Sequence, residues 1–225
     1  MKYAKVLDAI DSKILEMDLL KHPFYQAWSE GKLSIESLRI YAIQYYKFVN
    51  SFPRYLSAVH SNCDDLTVRQ YILENLAEEE NHENPHPELW INFGKALSLS
   101  REELTDGETN SETKEALETL MDIVRNGSYL EGSAALYSYE SRVPEIAEAK
   151  INGLKKFYGI NDEKGLEYFT LHRDVDLLHA EIWRKIISTG DITPEAAEKL
   201  VDTVGRSMKA FNLILDGVQR EIATA

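Results

Sequence analysis

Cysteine is nearly absent: Cys63 is the single one in 225 residues, so no intramolecular disulfide can form and nothing points to an oxidising compartment. Proline and glycine are few, 6 and 11, and several of them fall between stretches of helical spacing, not inside hairpin turns. No stretch approaches the 18 or so apolar residues that a membrane span requires. The opening MKYAKVLDAIDSKILEMD carries a charge every two or three residues, which leaves no apolar core for a signal peptide. Basic residues are outnumbered, 25 Lys and Arg against 38 Asp and Glu, for a formal net charge of -13. That balance argues against nucleic acid, whose binding rests on clustered Lys and Arg, and against an anionic membrane surface. The expectation is a soluble, cytoplasmic chain with no nucleic-acid or membrane partner.

What is present is apolar residue in quantity, 44% of the chain, enough for one core that buries roughly 70% of the surface the unfolded chain exposes. Apolar positions recur at spacings of three and four, so the fold class is all-α. The periodicity predicts helices at about 3 to 19, 34 to 61, 65 to 82, 87 to 97, 111 to 126, 128 to 157, 162 to 189 and 194 to 222. Ser34 with Glu36 and Ser37, and Thr193 followed by Pro194 and Glu195, are start signals. Gly159 and Gly190 stand where helices should stop. Pro53 and Pro144 fall inside predicted helices and should kink them. The polar segment 98 to 112 reads as a surface loop, and since both its flanks are needed for one core, residues 1–225 read as one domain. The 12 tyrosines, against 7 Phe and 3 Trp, are a surplus that composition alone does not explain.

Three motifs carry chemistry. In LHRDVDLLHAEIW, His172, Asp176 and His179 differ by four and three positions, which rotates Asp176 and His179 by about 40° and -20° relative to His172, so all three project from one face of a helix. Leu171, Val175, Leu178 and Ile182 flank that stripe and are expected to face the core. Two imidazoles and a carboxylate turned inward are costly unless something satisfies them, either a metal ion or a structural polar network built on Asp176. In NLAEEENHENPHPELW, Glu79 and His86 are seven apart and would share a face if a helix ran through Pro85. Glu79 also pairs with His82 in the Glu-x-x-His spacing of di-iron bundles, so the histidine is ambiguous; a solvated acidic helix end is the plainer alternative. In ALYSYESRVPEIAEAK, Glu140 is the only charge between Gly132 and Ser141, which suits a ligand or a proton-sharing core acid. Lys150 follows ten residues later; a surface lysine is its ordinary reading. Together Glu79, Glu140, Asp176, His86, His172 and His179 supply a mixed oxygen and nitrogen set for two iron or manganese ions, a pairing that activates dioxygen. Zinc is disfavoured, since a closed structural site uses four ligands and commonly cysteine.

The order of these residues resembles the heme-oxygenase-like di-metal oxidases. Within them HPFYQAW, EEENHENPHPELW, YSYESRVPEIAEAK and LHRDVDLLHAEIW resemble the CADD family, named after the chlamydia protein associating with death domains, and more distantly the TenA/PqqC-like superfamily. The resemblance covers nearly the whole chain and implies a seven-helix bundle. It further implies a self-sacrificing para-aminobenzoate synthase for folate biosynthesis, a di-metal oxygenase that takes the ring from a tyrosine of its own chain and the amine from a lysine. Tyr25 matches that tyrosine and Lys150 that lysine, with Tyr41, Tyr139 and Tyr168 at other positions lining the site. Metal ligands would be Glu79, His86, Glu140, His172, Asp176 and His179, holding Fe/Fe or Fe/Mn, with dioxygen and an external reductant as co-reactants.

Other readings separate on particular residues. Thiaminase-like members of the fold need a catalytic cysteine, and the acids beside Cys63 should raise its pKa and disfavour a thiolate. Pyrroloquinoline-quinone synthase relatives act without a metal, against which stand six intact ligand positions. A death-domain-type interaction module fits the family name but has no marked surface in the sequence. The amphipathic helices at 3 to 19 and 194 to 222 leave room for a homodimer.

Overall fold

The structure, a computed structural model, describes residues 3–189 and 192–224, and among them every regular element is helical. In chain order these are α1 (Tyr3–Glu16), a 3-10 turn (Leu19–Lys21), α2 (Pro23–Ser29), α3 (Ile35–Ser61), α4 (Leu66–Glu79) and α5 (His86–Ala96). There follow α6 (Arg101–Asp106), α7 (Ser111–Asn126), α8 (Tyr129–Glu140), α9 (Val143–Phe157), α10 (Glu163–Thr189) and α11 (Pro194–Thr224). No described helix is long and apolar enough to cross a membrane.

The centre of the bundle is α8. Its residues from Glu131 to Glu140 are all buried, as expected of a helix without a polar face. Around it pack α10, α11 and α7, with α3 closing the far side of α7 and α5 and α9 flanking α10. A capping box at Ser128 and Glu131 starts α8, satisfying two backbone N–H groups that helix geometry leaves unpaired.

Several boundaries differ from the sequence reading for local reasons. The first helix stops at Glu16, because Asp18 caps the 3-10 turn and His22 caps α2 through Nδ1, with Pro23 in its first turn. HPFYQAW is thus a helix of its own. The stretch expected as one kinked helix over 128 to 157 is two. It breaks after Glu140, and Pro144 sits in the first turn of α9, where its missing N–H costs nothing. Pro53, by contrast, is carried inside α3. The segment 98 to 112 is not merely a loop: Ser100 and Glu103 form a capping box for α6, and Leu104 is fully buried against Gly94, where a side chain would collide with it. Ser34 caps α3 through the Ser37 N–H, and α11 begins at Pro194. Gly159 follows α9 at a φ of 72°, the left-handed conformation glycine adopts freely. Gly190 lies outside the described residues.

Candidate metal centre

Four helices bring the six ligand candidates together. Glu79 is the last residue of α4 and His86 the first of α5, Glu140 is the last of α8, and α10 supplies His172, Asp176 and His179 from one face. All six are buried, and they divide into two triads, Glu79 with His86 and His172, and Glu140 with Asp176 and His179, each with ligand atoms within 4.8 Å of one another. The expected route to the first pair was one helix running through Pro85. Instead the chain leaves the helix at Glu80, and Pro85 caps the next one, so two helix ends meet. His86 is buried beside Glu79, whereas His82 is exposed. The flanks of the α10 stripe also differ from expectation: Leu178 is 57% exposed and Leu171, Val175 and Ile182 are half-buried. The buried face of α10 is centred on the polar stripe itself, continuing into Trp183 and Ile186.

In the first triad, Nδ1 of His86 is 2.8 Å from Oε2 of Glu79 and Nε2 of His172 is 3.8 Å from Oε1. The His86 nitrogen is nevertheless not aligned for a hydrogen bond. Nδ1 of His172 lies 2.7 Å from the Tyr168 carbonyl. A carbonyl only accepts, so Nδ1 carries a proton and Nε2 points at Glu79. In the second triad, Nδ1 of His179 is 3.1 Å from Asp176 Oδ1 and 3.5 Å from Glu140 Oε1, while its Nε2 is 3.0 Å from Oε2 of Glu78. Glu140 accepts from Asn75 Nδ2 at 3.0 Å and from the indole of Trp183. Members of both triads line one enclosed cavity of about 10 Å³ together with Phe48, Phe52, Tyr139 and Tyr168, room for about one water-sized molecule.

The electrostatics of the two triads suit a cation. Burial by itself would raise Glu79, but His172 and His86 outweigh it and hold the carboxyl down at about 2. Burial, helped by Glu140, lifts Asp176 to about 6. Burial opposes charge on His179, yet Asp176 and Glu140 raise it to about 11. Three acids and three imidazoles crowded without solvent want positive charge among them, which protons supply or a metal replaces. The atoms left without hydrogen bonds include His86 Nδ1, Asp176 Oδ2 and Asn75 Oδ1. Two of these, His86 Nδ1 and Asp176 Oδ2, belong to the six candidate ligands and have lone pairs that a cation could take, and the oxygen and nitrogen mixture fits iron or manganese. The residues fit a pair of metals.

Beyond the cavity lies a tyrosine cluster. Tyr45 Oη is 2.9 Å from Tyr139 Oη, and Tyr25 Oη is 3.1 Å from Tyr41 Oη. The Tyr168 ring lies against His172 with centroids 4.1 Å apart. Burial pushes the phenols of Tyr25, Tyr41, Tyr139 and Tyr168 well above their ordinary value. Lys150, far from being a surface lysine, is 4% exposed. Its Nζ is 5.1, 5.3 and 4.9 Å from the ring centres of Tyr25, Tyr41 and Tyr45, with Trp90 and Phe169 completing the enclosure. Burial pulls its pKa down to about 7. Sequence reasoning missed Tyr45, Asn75, Glu78 and Trp183. Tyr45 was recoverable in principle, one turn from Tyr41 on α3. Cys63 is buried, and burial together with Asp65 and Asp64 raises its thiol as expected.

Comparison with known proteins gives consistent likenesses. The family model described as TENA/THI-4/PQQC matches residues 8–219. A 4-aminobenzoate synthase of Nitrosomonas europaea is 41% identical over 218 residues, 93% of this chain and 89% of that one. A 4-aminobenzoate synthase of Chlamydia trachomatis is 39% identical over 200 residues, 89% and 86% of the two chains. Among solved structures, a domain of unknown function with a heme oxygenase-like fold from Shewanella denitrificans superposes with a TM-score of 0.83 at 17% identity, covering 99% of this chain and 94% of that one.

Proposed function

The chain belongs to the TENA/THI-4/PQQC family, and from that premise we propose that it is an enzyme making 4-aminobenzoate from its own side chains. Tyr25 gives the ring and Lys150 the amine, in one turnover per chain. The observation that carries this reading is the lysine amine held 5.1 Å from the centre of the Tyr25 ring, inside a tyrosine cluster that adjoins two metal-binding triads. The names of the relatives in Nitrosomonas and Chlamydia support the product.

The conversion asks for two things. The bond between Cα and Cβ of the tyrosine must break, so that Cβ leaves as the carboxyl carbon, and nitrogen must replace the phenol oxygen. The first oxidises Cβ to the carboxyl level. In the second the ring carbon keeps its oxidation level: the ring is oxidised by dioxygen, the Lys150 amine condenses with it as the phenol oxygen leaves as water, and the ring regains its electrons as the Nζ–Cε bond breaks by hydrolysis with Cε leaving at the aldehyde level. Both steps draw on dioxygen and lie outside acid-base chemistry. Two ions, iron with iron or iron with manganese, held by Glu79, His86 and His172 and by Glu140, Asp176 and His179, would supply dioxygen activation, with an external reductant restoring their lower valence.

The protein's own groups do the rest. Burial keeps a large share of Lys150 neutral near pH 7, and only the neutral amine is nucleophilic. The hydrogen bond between Tyr25 and Tyr41 fixes the direction of the Tyr25 hydroxyl. Tyr45, bonded to Tyr139 at the wall of the metal cavity and packed against Lys150, joins the two halves of the site. The five rings around Lys150 exclude water, which would otherwise compete with the amine for an oxidised ring.

The test is isotopic. Protein grown with ring-labelled tyrosine and nitrogen-labelled lysine, then given ferrous iron, a reductant and oxygen, should release 4-aminobenzoate carrying both labels, and Tyr25→Phe should release none. Labelled product from Tyr25→Phe at the wild-type level would reject Tyr25 as the donor. Unlabelled product from an added small molecule would reject self-consumption.

A further inference from the structure

The six ligand candidates are buried, so an ion must reach them by some path. Between the loop joining α4 to α5 and the outer face of α10 runs a cleft of about 560 Å³, lined by Glu78, Asn81, Glu83, His86, Glu167 and Asp174 among others, with no lysine or arginine in its wall. It touches the first triad directly, at His86, and the second only through Glu78. His86, a member of the first, lines it at 3% exposed with Nδ1 lacking a hydrogen-bond partner. Glu78, which also lines it, reaches Nε2 of His179 in the second at 3.0 Å. Asp174 is paired with Arg173 at 2.8 Å; among the described residues, Glu83 and Glu167 form no such ion pair. The grooves between α1 and α11 and beside α7 contain none of the six ligands.

We propose that this acidic cleft is the loading port through which a divalent transition cation enters the metal centre, with Glu78 and His86 as its inner contacts. The inference rests on the metal reading of the two triads. A concave wall of one sign focuses the field and raises the local concentration of the opposite ion, with a gain in association rate that falls with salt. The same wall repels an anionic product, so 4-aminobenzoate is not its cargo. Glu78 is half-exposed, at 51%, and bonded to a buried histidine, so it can meet a hydrated ion at the cleft and hand it inward as the ion sheds water.

The test measures uptake, not turnover. Chelator-stripped protein is mixed rapidly with cobalt(II), and the ligand-field absorption reports binding. Wild type should fill to about two ions per chain at a rate that drops as salt rises from about 20 to about 200 mM. The variant Glu83→Gln/Glu167→Gln/Asp174→Asn should fill at least about tenfold more slowly at low salt, with little salt dependence and the same end point. A control with equal charge loss on exposed acids elsewhere, Glu102→Gln/Glu115→Gln/Glu118→Gln, should keep the wild-type rate. A cleft variant that loads within about twofold of that control overturns the port and leaves the metal reading standing. A wild-type chain that takes up no cobalt overturns both.

Discussion

Lys150 owes its chemistry to its surroundings. An amine enclosed by Tyr25, Tyr41, Tyr45, Trp90 and Phe169 has favourable ring faces, but the loss of water outweighs them and brings its pKa from 10.5 to about 7. Between those two values the unfolded chain binds a proton that the folded chain does not, so stability rises with pH across the window. Below about 7 the folded chain protonates as well, and the cost of burying the charge is fully present. From pH 7 to 9.5 wild type should therefore gain about 3 kcal/mol relative to Lys150→Met, which has no such proton to lose. Urea unfolding of both proteins at the two pH values checks this, and parallel profiles would mean the amine is not desolvated. Sequence reasoning found Lys150 through resemblance alone, because nothing around KINGLKKF marks one lysine as buried among three. The acids and histidines were more legible, since inward spacing on α10 singles out three residues together. Glu78 was not, because in the run EEE only tertiary packing tells which carboxylate turns toward His179.

At the scale of elements, the ring and the amine come from different helices, α2 and α9, and a close approach holds these together. Trp28 of α2 donates its indole N–H to the Lys150 carbonyl at 3.2 Å and lies over Gly153, where a Cβ would meet the indole at 2.5 Å. Gly153→Ala should therefore push α2 outward. The expected cost is about 1 to 3 kcal/mol, seen as a lower melting temperature, and product release should fall further than stability does because Tyr25 moves away from Lys150. An alanine variant with wild-type yield and stability would show that the contact is loose. Long helices such as α3, α7, α10 and α11 were legible from apolar spacing. The short α2 and α6, 7 and 6 residues long, were not, since two turns leave too few positions for a period to emerge. Apolar spacing continues on both sides of Pro144 and so predicts a kink; in the structure Pro144 stands in the first turn of a new helix, and Glu140 ends α8 at the small cavity between the triads.

At the scale of the whole molecule, a likeness at 17% identity speaks for the bundle and not for its chemistry, since one fold hosts many activities. What the bundle encloses is two triads of candidate metal ligands, hydrogen-bonded tyrosine pairs and a desolvated lysine. The chain carries a net charge of -13; of its buried acids, Asp18 and Glu131 pair with Arg142 and Lys199, whereas Glu79, Glu140 and Asp176 face histidines. If these parts act together, the product is cut from the chain that makes it. Intact-mass analysis of the protein before and after incubation with ferrous iron, reductant and oxygen, followed by peptide mapping, tests that most directly. The account predicts an oxygen-dependent loss of the Tyr25 side chain and a change at Lys150, in amounts matching the 4-aminobenzoate released and never exceeding one per chain. Continued release of 4-aminobenzoate from protein whose mass does not change would contradict it.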